Sequence, residues 1–166
     1  GNHDRHGSQK DFSRLLEHMR ANSIFPLINE EHIINMGETK ISLYASDDIR
    51  TSIPDLSFFD NANADKFVIF FPHSPDILPE VLQKNRKAFD LALCGHTHGG
   101  QIALFGKALH SSSEYKNRYL SGWKEEKKHR FFITNGVGTS LIPVRIGARP
   151  QMHAIILVSE QARHLG

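Results

Sequence analysis

The chain has 166 residues, a length that predicts a single domain spanning residues 1–166. Hydrophobic residues make up 39% of the chain and charged residues 23%, which is typical of a globular protein. Twenty Lys and Arg residues against eighteen Asp and Glu residues leave a formal charge of +2, which is too balanced for a protein that coats nucleic acid. The single cysteine excludes an internal disulfide framework and a zinc site built from several thiolates. Any bound metal therefore has to be held by imidazole and oxygen ligands.

The hydrophobic pattern predicts strands and helices in alternation. The predicted elements are a helix at 8–22 capped by Ser8, strands at 27–34, 40–45 and 67–71, a helix at 77–86, a strand at 89–94, a glycine-rich loop at 95–106, a polar surface excursion at 111–128, strands at 131–134 and 153–158, and a polar tail at 159–166. The uninterrupted apolar run at 67–71 is typical of a central strand that is covered on both faces, and the segment 89–94 is predicted to be a second buried strand. This order of elements predicts an α/β domain.

The strongest chemical signal is Gly95-His96-Thr97-His98-Gly99-Gly100, directly after a predicted buried strand. In open α/β sheets, ligands bind beyond the carboxyl ends of the strands. On a loop flanked by glycines, His96 and His98 can diverge enough to serve two adjacent metal ions. The alternative is an exposed histidine pair in a flexible turn, but the glycines and the preceding strand favour a site.

A second candidate is His73, which follows the strand at 67–71. A single histidine at a strand end is more often structural. Neighbouring strands would nevertheless place His73 beside His96 at the same edge of the sheet, which favours a shared site.

The third cluster is Gly1-Asn2-His3-Asp4. Asn2 offers a neutral oxygen to a metal, and His3 is suited to act as a general acid or transition-state donor, held in one tautomer by Asp4. By themselves, these residues more often form a polar N-terminal loop. The presence of the other two clusters favours a functional role for them.

In this order, Gly-Asn-His-Asp, a histidine after a strand, and Gly-His-Thr-His resemble the calcineurin-like metallophosphoesterase family. The longer form Gly95-His96-Thr97-His98-Gly99-Gly100-Gln101 is similar to a bacterial branch that includes membrane-associated phosphodiesterases and a UDP-2,3-diacylglucosamine pyrophosphohydrolase of lipid A synthesis. The segments 118–122 and 135–140 are also similar to that branch. The resemblance covers essentially the whole chain.

The resemblance implies a fold and a set of metal ligands. The fold is the C-terminal portion of a sandwich of two mixed sheets flanked by helices, with two divalent ions at the strand ends. Asn2, His73 and His96 would bind one ion, and His98 would bind the other. Manganese is the expected metal, and zinc, iron or cobalt would accept the same ligands.

The resemblance also assigns residues to the substrate. His3 would contact the scissile phosphate or its leaving group, with Asp4 as its partner. Arg145 is expected to bind substrate phosphate because a guanidinium fits phosphate oxygens, although a structural ion pair would explain it equally well. Asp48 follows a predicted strand and is interpreted as a turn cap.

The family's remaining ligands come from D-x-H and G-D-x-x-D motifs upstream of the Gly-Asn-His-Asp motif, and this sequence begins at that motif. We therefore expect an N-terminally incomplete domain that is inactive alone, binds at most one metal, and either self-associates or has its missing strands supplied by another chain. The complete enzyme would hydrolyse phosphodiester or pyrophosphate bonds through a water activated by two metals. A metallophosphoesterase-like scaffold without catalysis and a nuclease of the same superfamily are the alternatives.

The expected partner is a phosphodiester or nucleotide-lipid substrate, with peripheral membrane contact as an option and no specific nucleic acid. The expected location is the cytoplasm, and peripheral association with the inner membrane is the alternative.

Overall fold

The computed structural model describes residues 1–5, 7–60, 65–84, 88–105 and 107–158. These residues form an α/β fold with a mixed six-stranded sheet, a second sheet of two short strands, and flanking helices. The predicted fold class is confirmed, and this arrangement is consistent with a metallophosphoesterase-type fold. Among the described residues, no helix combines the length and the apolar character needed to cross a bilayer.

The helices are α1 (Gln9–Ala21) and α2 (Leu78–Lys84), and single 3-10 turns lie at Asn2–Arg5, Ser57–Asp60, Pro75–Ile77, His98–Gly100 and Lys116–Tyr119. The strands are β1 (Glu30–Met36), β2 (Thr39–Ala45), β3 (Lys66–Phe70), β4 (Leu91–Cys94), β5 (Ala103–Leu104), β6 (Lys107–Ala108), β7 (Gly122–Glu126) and β8 (His129–Ile133).

Helix α1 begins where the sequence predicts. The Ser8 hydroxyl accepts a hydrogen bond from the Asp11 amide at 3.2 Å, and the Asp11 carboxylate accepts one from the Ser8 amide at 3.0 Å. This reciprocal capping box satisfies two amide groups that the first helical turn leaves without partners. Such a cap contributes about 1 kcal/mol to helix stability.

The order of strands in the large sheet is β1-β2-β3-β4-β8-β7. Strands β2, β3, β4 and β8 run parallel, whereas β1 and β7 are antiparallel edge strands. The carboxyl ends of four neighbouring strands therefore meet at one edge of the sheet. In folds of this kind, that edge is where ligands bind.

The core lies where the two apolar runs were predicted to be buried. Phe70 on β3 and Ala92 on β4 are completely buried, and so is Phe131 on β8. Phe59 packs edge-on against Phe70, with the ring centroids 4.9 Å apart. Aromatic pairs of this geometry add to the apolar burial that holds the sheet in place.

Two sequence predictions are wrong. The segment 111–128 is not only a surface excursion, because it contains β7, an edge strand that pairs with β8 and in which exposed residues alternate with half-buried ones. The predicted strand at 153–158 forms no ladder, and Ile156 is 83% exposed. A β-prone sequence becomes a strand only where a neighbouring strand offers its hydrogen-bonding groups. The end of the predicted helix at 85–86 and the predicted tail at 159–166 lie outside the described residues.

Candidate functional site

The parallel strands deliver polar residues to one edge of the sheet. Asp48 follows β2, His73 follows β3, and His96 follows β4. The Gly95 amide donates a hydrogen bond to the His73 carbonyl at 2.9 Å, which ties the loops after β3 and β4 together. The predicted juxtaposition of His73 and His96 is therefore present in the structure.

Asn2, His73 and His96 form the centre of this cluster. Nε2 of His73 lies 3.0 Å from Oδ1 of Asn2, and the rings of His73 and His96 have centroids 5.1 Å apart at an interplanar angle of 69°. The N-terminal segment passes directly over the first ring, because a Cβ on Gly1 would lie 2.5 Å from Cε1 of His73. Residues separated by most of the chain thus meet at one point.

This donor set fits a single metal ion. Nε2 of His96 is buried and has no hydrogen-bond partner among the described residues, so its lone pair is open to a cation if that nitrogen is unprotonated. Two imidazoles and an amide oxygen are the nitrogen and oxygen donors that manganese, iron, cobalt and zinc accept. Among the described residues, no three His, Cys, Asp or Glu side chains group closely enough to hold a metal by themselves. Asn2 would have to supply the third donor.

The electrostatics keep both imidazoles neutral. Burial lowers the pKa of His73 to about 4, and the positive amino terminus and His96 act in the same direction. Burial also lowers the pKa of His96, assisted by the charge of Arg50. A neutral imidazole is the form that binds a metal, so no proton has to be displaced from these rings at neutral pH.

His98 belongs to a different group of residues. Nη2 of Arg145 lies 3.4 Å from Nδ1 of His98. Burial lowers the pKa of His98, followed by the positive charge of Arg145, and a smaller effect of His3 places that residue in the same neighbourhood. These contacts place His98 beside Arg145 and near His3, and its predicted role at a second metal ion stays a prediction.

The loop that carries the two histidines is held by specific packing. His96 and His98 have φ values of 68° and 53°, in the left-handed region that side chains rarely adopt. The Thr97 hydroxyl donates to the Leu120 carbonyl at 2.7 Å. A Cβ on Gly99 or Gly100 would collide with the side chain of Asn135 or Ala108, respectively. The absence of a side chain therefore allows the loop to pack closely against these two residues. Strained backbone of this kind persists where packing determines it, and it is concentrated at functional sites.

The guanidinium of Arg145 is fully engaged with main-chain oxygens. Nη1 donates to the carbonyls of His98 and Ala148, both at 3.1 Å. Nε donates to the Gly138 carbonyl at 2.9 Å, and Nη2 donates to the Asn135 carbonyl at 2.8 Å and also to Gly138. The predicted contact of Arg145 with substrate phosphate stays a prediction, and it would require some of these bonds to be exchanged.

The two predicted catalytic residues lie at the start of the chain. His3 is exposed, and Asp4 accepts a hydrogen bond from the amino group of Gly1 at 2.5 Å. The proposed action of Asp4 on the His3 tautomer also stays a prediction.

A further residue at this edge, Asp48, was predicted from the sequence only to cap a turn. Asp48 is only 4% exposed and lies at the carboxyl end of a parallel strand, just as His73 and His96 do. Its position three residues beyond β2 was the available signal, because His73 lies three residues beyond β3.

Comparison with known proteins gives several relatives among curated sequences. The uncharacterized metallophosphoesterase YkoQ of Bacillus subtilis is 26% identical over 92% of this chain and 56% of its own length. The phosphodiesterase YaeI of Escherichia coli is 29% identical over 95% of this chain and 56% of its own length. An uncharacterized metallophosphoesterase of Aquifex aeolicus is 32% identical over 62% of this chain and 37% of its own length. No family model and no solved structure matches the chain.

The chain spans about half the length of the curated relatives that it matches most extensively. The similarity runs from the N-terminal region to the C-terminal region of this chain, and it accompanies an α/β sheet with its histidines at the carboxyl edge. These comparisons support the assignment of the chain to the metallophosphoesterase family.

Proposed function

We propose that the chain is part of a phosphoesterase-type hydrolase that cleaves phosphodiester or pyrophosphate bonds with a metal-activated water. The observation that carries the proposal is the cluster of Asn2, His73 and His96 at the carboxyl edge of the sheet. The names of the relatives support the same class of reaction, since one is a phosphodiesterase and others are metallophosphoesterases.

In this proposal, Asn2, His73 and His96 hold one divalent ion and His98 contributes to a second. Manganese is our first choice of metal, and zinc, iron and cobalt share the same ligand preferences. When bound, such a pair of ions supplies an activated water and neutralises the phosphate. His3 donates a proton or a hydrogen bond to the leaving oxygen, which its exposed position beside the histidine loop allows. Asp4 orients His3.

For the substrate, we propose UDP-2,3-diacylglucosamine, cleaved with release of UMP during lipid A synthesis. The support is the resemblance of the segment 95–101 to the branch that contains such an enzyme. A nucleotide-lipid substrate would bring the protein to the cytoplasmic surface of the inner membrane, and no nucleic-acid partner is required.

The second candidate is a metallophosphoesterase-like scaffold that binds partners without catalysis. It is favoured by the finding that the described residues contain no group of three His, Cys, Asp or Glu side chains around a possible ion. With neutral ligands only, two dications about 4 Å apart would repel each other by several kcal/mol even at an effective dielectric near 20. We propose accordingly that the 166-residue chain by itself holds at most one ion and hydrolyses no phosphodiester.

We further propose that the chain associates with a second copy of itself. An apolar groove of about 720 Å³ is lined by Met36, Trp123 and the segment 154–158, and Met36 is 62% exposed. Sedimentation equilibrium at several protein concentrations measures this association. A mass equal to that of the monomer at all concentrations would contradict it.

The test of function is a hydrolysis assay on the natural gene product, freed of metal with a chelator and reloaded with manganese, zinc or cobalt. The substrates are UDP-2,3-diacylglucosamine, bis(p-nitrophenyl) phosphate and single-stranded DNA. His73→Ala and His96→Ala should each reduce turnover by at least about a hundredfold, because each removes a metal ligand. His32→Ala, on the exposed edge strand β1, is the matched control and should leave turnover unchanged.

The outcomes separate the candidates. Release of UMP supports the lipid substrate, and DNA cleavage without UMP release supports a nuclease. Absence of turnover with every substrate and metal would favour the scaffold.

A further inference from the structure

Asp48 occupies the same edge of the sheet as the histidine cluster. It follows β2, the strand adjacent to the one that carries His73, and its side chain is almost completely buried. A buried carboxylate is unfavourable unless its charge is compensated, so the surroundings of each oxygen atom matter.

The two carboxylate oxygens of Asp48 have different surroundings. Oδ1 accepts a hydrogen bond from the Arg50 amide at 2.9 Å, which is the turn-capping contact that the sequence predicts. Oδ2 is buried and has no hydrogen-bond partner among the described residues. Turn capping therefore explains one oxygen and leaves the other unexplained.

Other unsatisfied atoms lie in the same region. Within the described parts of the chain, four buried side-chain atoms lack a hydrogen-bond partner, and three of them are Oγ of Ser46, Oδ2 of Asp48 and Nε2 of His96. Ser46, Asp48 and His73 line one cavity of about 270 Å³, and the His96 ring lies next to that of His73. Unsatisfied polar atoms on residues that line a cavity, here Ser46 and Asp48, indicate a polar occupant.

The electrostatics agree with this arrangement. Burial is the main cause of the lowered pKa of His73 and of His96, and Asp48 opposes that lowering at both residues. Asp48 is thus close enough to act on both imidazoles. The negative charge of Asp48 would balance that of a bound cation, whereas the three donors Asn2, His73 and His96 are neutral.

We propose that Asp48 is the anionic positioning residue of the metal centre formed by Asn2, His73 and His96, where its negative charge offsets that of one divalent cation. The inference rests on the proposed metal binding. It assigns to Asp48 a task in addition to capping the turn, and it explains why a carboxylate is buried there with one oxygen unsatisfied.

The neighbouring Asp47 provides a matched control. Its carboxylate forms an ion pair with Arg5, so its charge is already compensated. Its Oδ1 accepts a hydrogen bond from the Asp48 amide at 2.8 Å, and the oxygen of an asparagine at this position would keep that bond. Asp47→Asn and Asp48→Asn therefore remove the same charge from adjacent positions with different expected results.

The experiment measures the affinity of the metal-free 166-residue chain for Zn²⁺, in competition with a chromophoric chelator, and the thermal midpoint of the metal-free chain. Asp48→Asn should weaken Zn²⁺ binding by about 10- to 100-fold, the range seen when partners of metal ligands are removed. Its thermal midpoint without metal should stay equal or rise, because the amide oxygen still caps the turn while a buried unpaired charge disappears. Asp47→Asn should change the affinity by less than about threefold, since its charge is already paired with that of Arg5.

Asp48→Ser is the second variant, in case Asp48→Asn does not fold, because a hydroxyl can also accept from the Arg50 amide. It should show the same loss of affinity. Unchanged Zn²⁺ binding by the Asp48 variants, or an equal loss in Asp47→Asn, would overturn the role of Asp48 and leave the metal centre standing. A native chain that binds no Zn²⁺ would overturn this inference together with the metal site in the proposed function.

Discussion

Arg145 and His98 are joined by a hydrogen bond of 3.1 Å from Nη1 of the guanidinium to the histidine carbonyl. The same guanidinium also reaches the carbonyls of Asn135 and Gly138. One side chain therefore links the histidine loop to the segment that follows β8. The position of His98 depends on this link.

Arg145→Lys should lower the free energy of unfolding by about 2 kcal/mol or more. A lysine has one nitrogen in place of the three of a guanidinium, so several carbonyls, some of them part-buried, would lose their hydrogen-bond donor. Chemical denaturation followed by circular dichroism measures the effect. The exposed Arg149→Lys should change the free energy by less than about 0.5 kcal/mol. An unchanged stability for Arg145→Lys, combined with a higher KM, would instead favour the original prediction of a phosphate contact.

Gly100→Ala should destabilise the chain by about 2 to 4 kcal/mol, because it combines left-handed strain with a collision against Ala108. Two other glycines separate these causes. Gly136 has a φ of 64° and open space, so Gly136→Ala should lose only about 1 to 2 kcal/mol. Gly138 has open space and lies outside the left-handed region, so Gly138→Ala should be nearly neutral. Equal losses at all three positions in thermal unfolding would show that the packing of the histidine loop is not the cause.

His3→Ala should reduce turnover of the natural gene product by about a hundredfold while its metal content stays nearly unchanged. The reason is that His3 is proposed to act on the substrate, so the substitution removes only a donated proton or hydrogen bond and no metal ligand. Activity and metal content are measured on the same preparation, with His96→Ala as the comparison that loses metal. If His3→Ala lost as much metal as His96→Ala, the division of roles between them would be wrong.

The Cys94 thiol should be unreactive in the native chain. Burial raises its pKa, and the nearby charge of Asp76 adds to this, so the reactive thiolate is scarce. Labelling with a disulfide reagent at pH 8 should proceed only as fast as the chain unfolds, and the guanidinium-denatured chain should react at once with one thiol per chain. Rapid labelling of the native protein would mean that the carboxyl end of β4 opens easily.

The stability of the chain should fall as the pH rises from about 10 to about 12. Burial raises the pKa of Tyr44 to about 12, with the charge of Asp55 as a second cause, whereas an unfolded tyrosine titrates near pH 10. In this window the unfolded chain loses the proton first, so the contribution of Tyr44 is complete below pH 10 and is lost above it. Tyr44→Phe should show a shallower decline in urea titrations, and its curve should run parallel to that of the native chain between pH 7 and 9. The same slope in both proteins above pH 10 would assign the decline to other groups.

Local sequence was sufficient for much of this structure. Ser8 and Asp11 cap α1 through contacts within a few residues, and the apolar runs that became β3 and β4 are buried because no other arrangement removes them from water. The pairing of His73 with His96 was also accessible, since the ends of adjacent parallel strands must meet. These features depend on short-range contacts or on a general rule of sheet topology.

The rest required the tertiary structure. Residues 153–158 have the composition of a strand, yet they form none because strand formation depends on a partner elsewhere in space. The polar run around Trp123 became an edge strand for the converse reason, since β8 offers it a partner. Asp48 looked like a turn cap, and only the burial of its second oxygen beside the histidine cluster distinguishes it from one. The residues able to perform metal chemistry can be recognised from residue type and order along the chain. Which charges and lone pairs are buried together depends on the fold, because burial and proximity are properties of the whole packed chain.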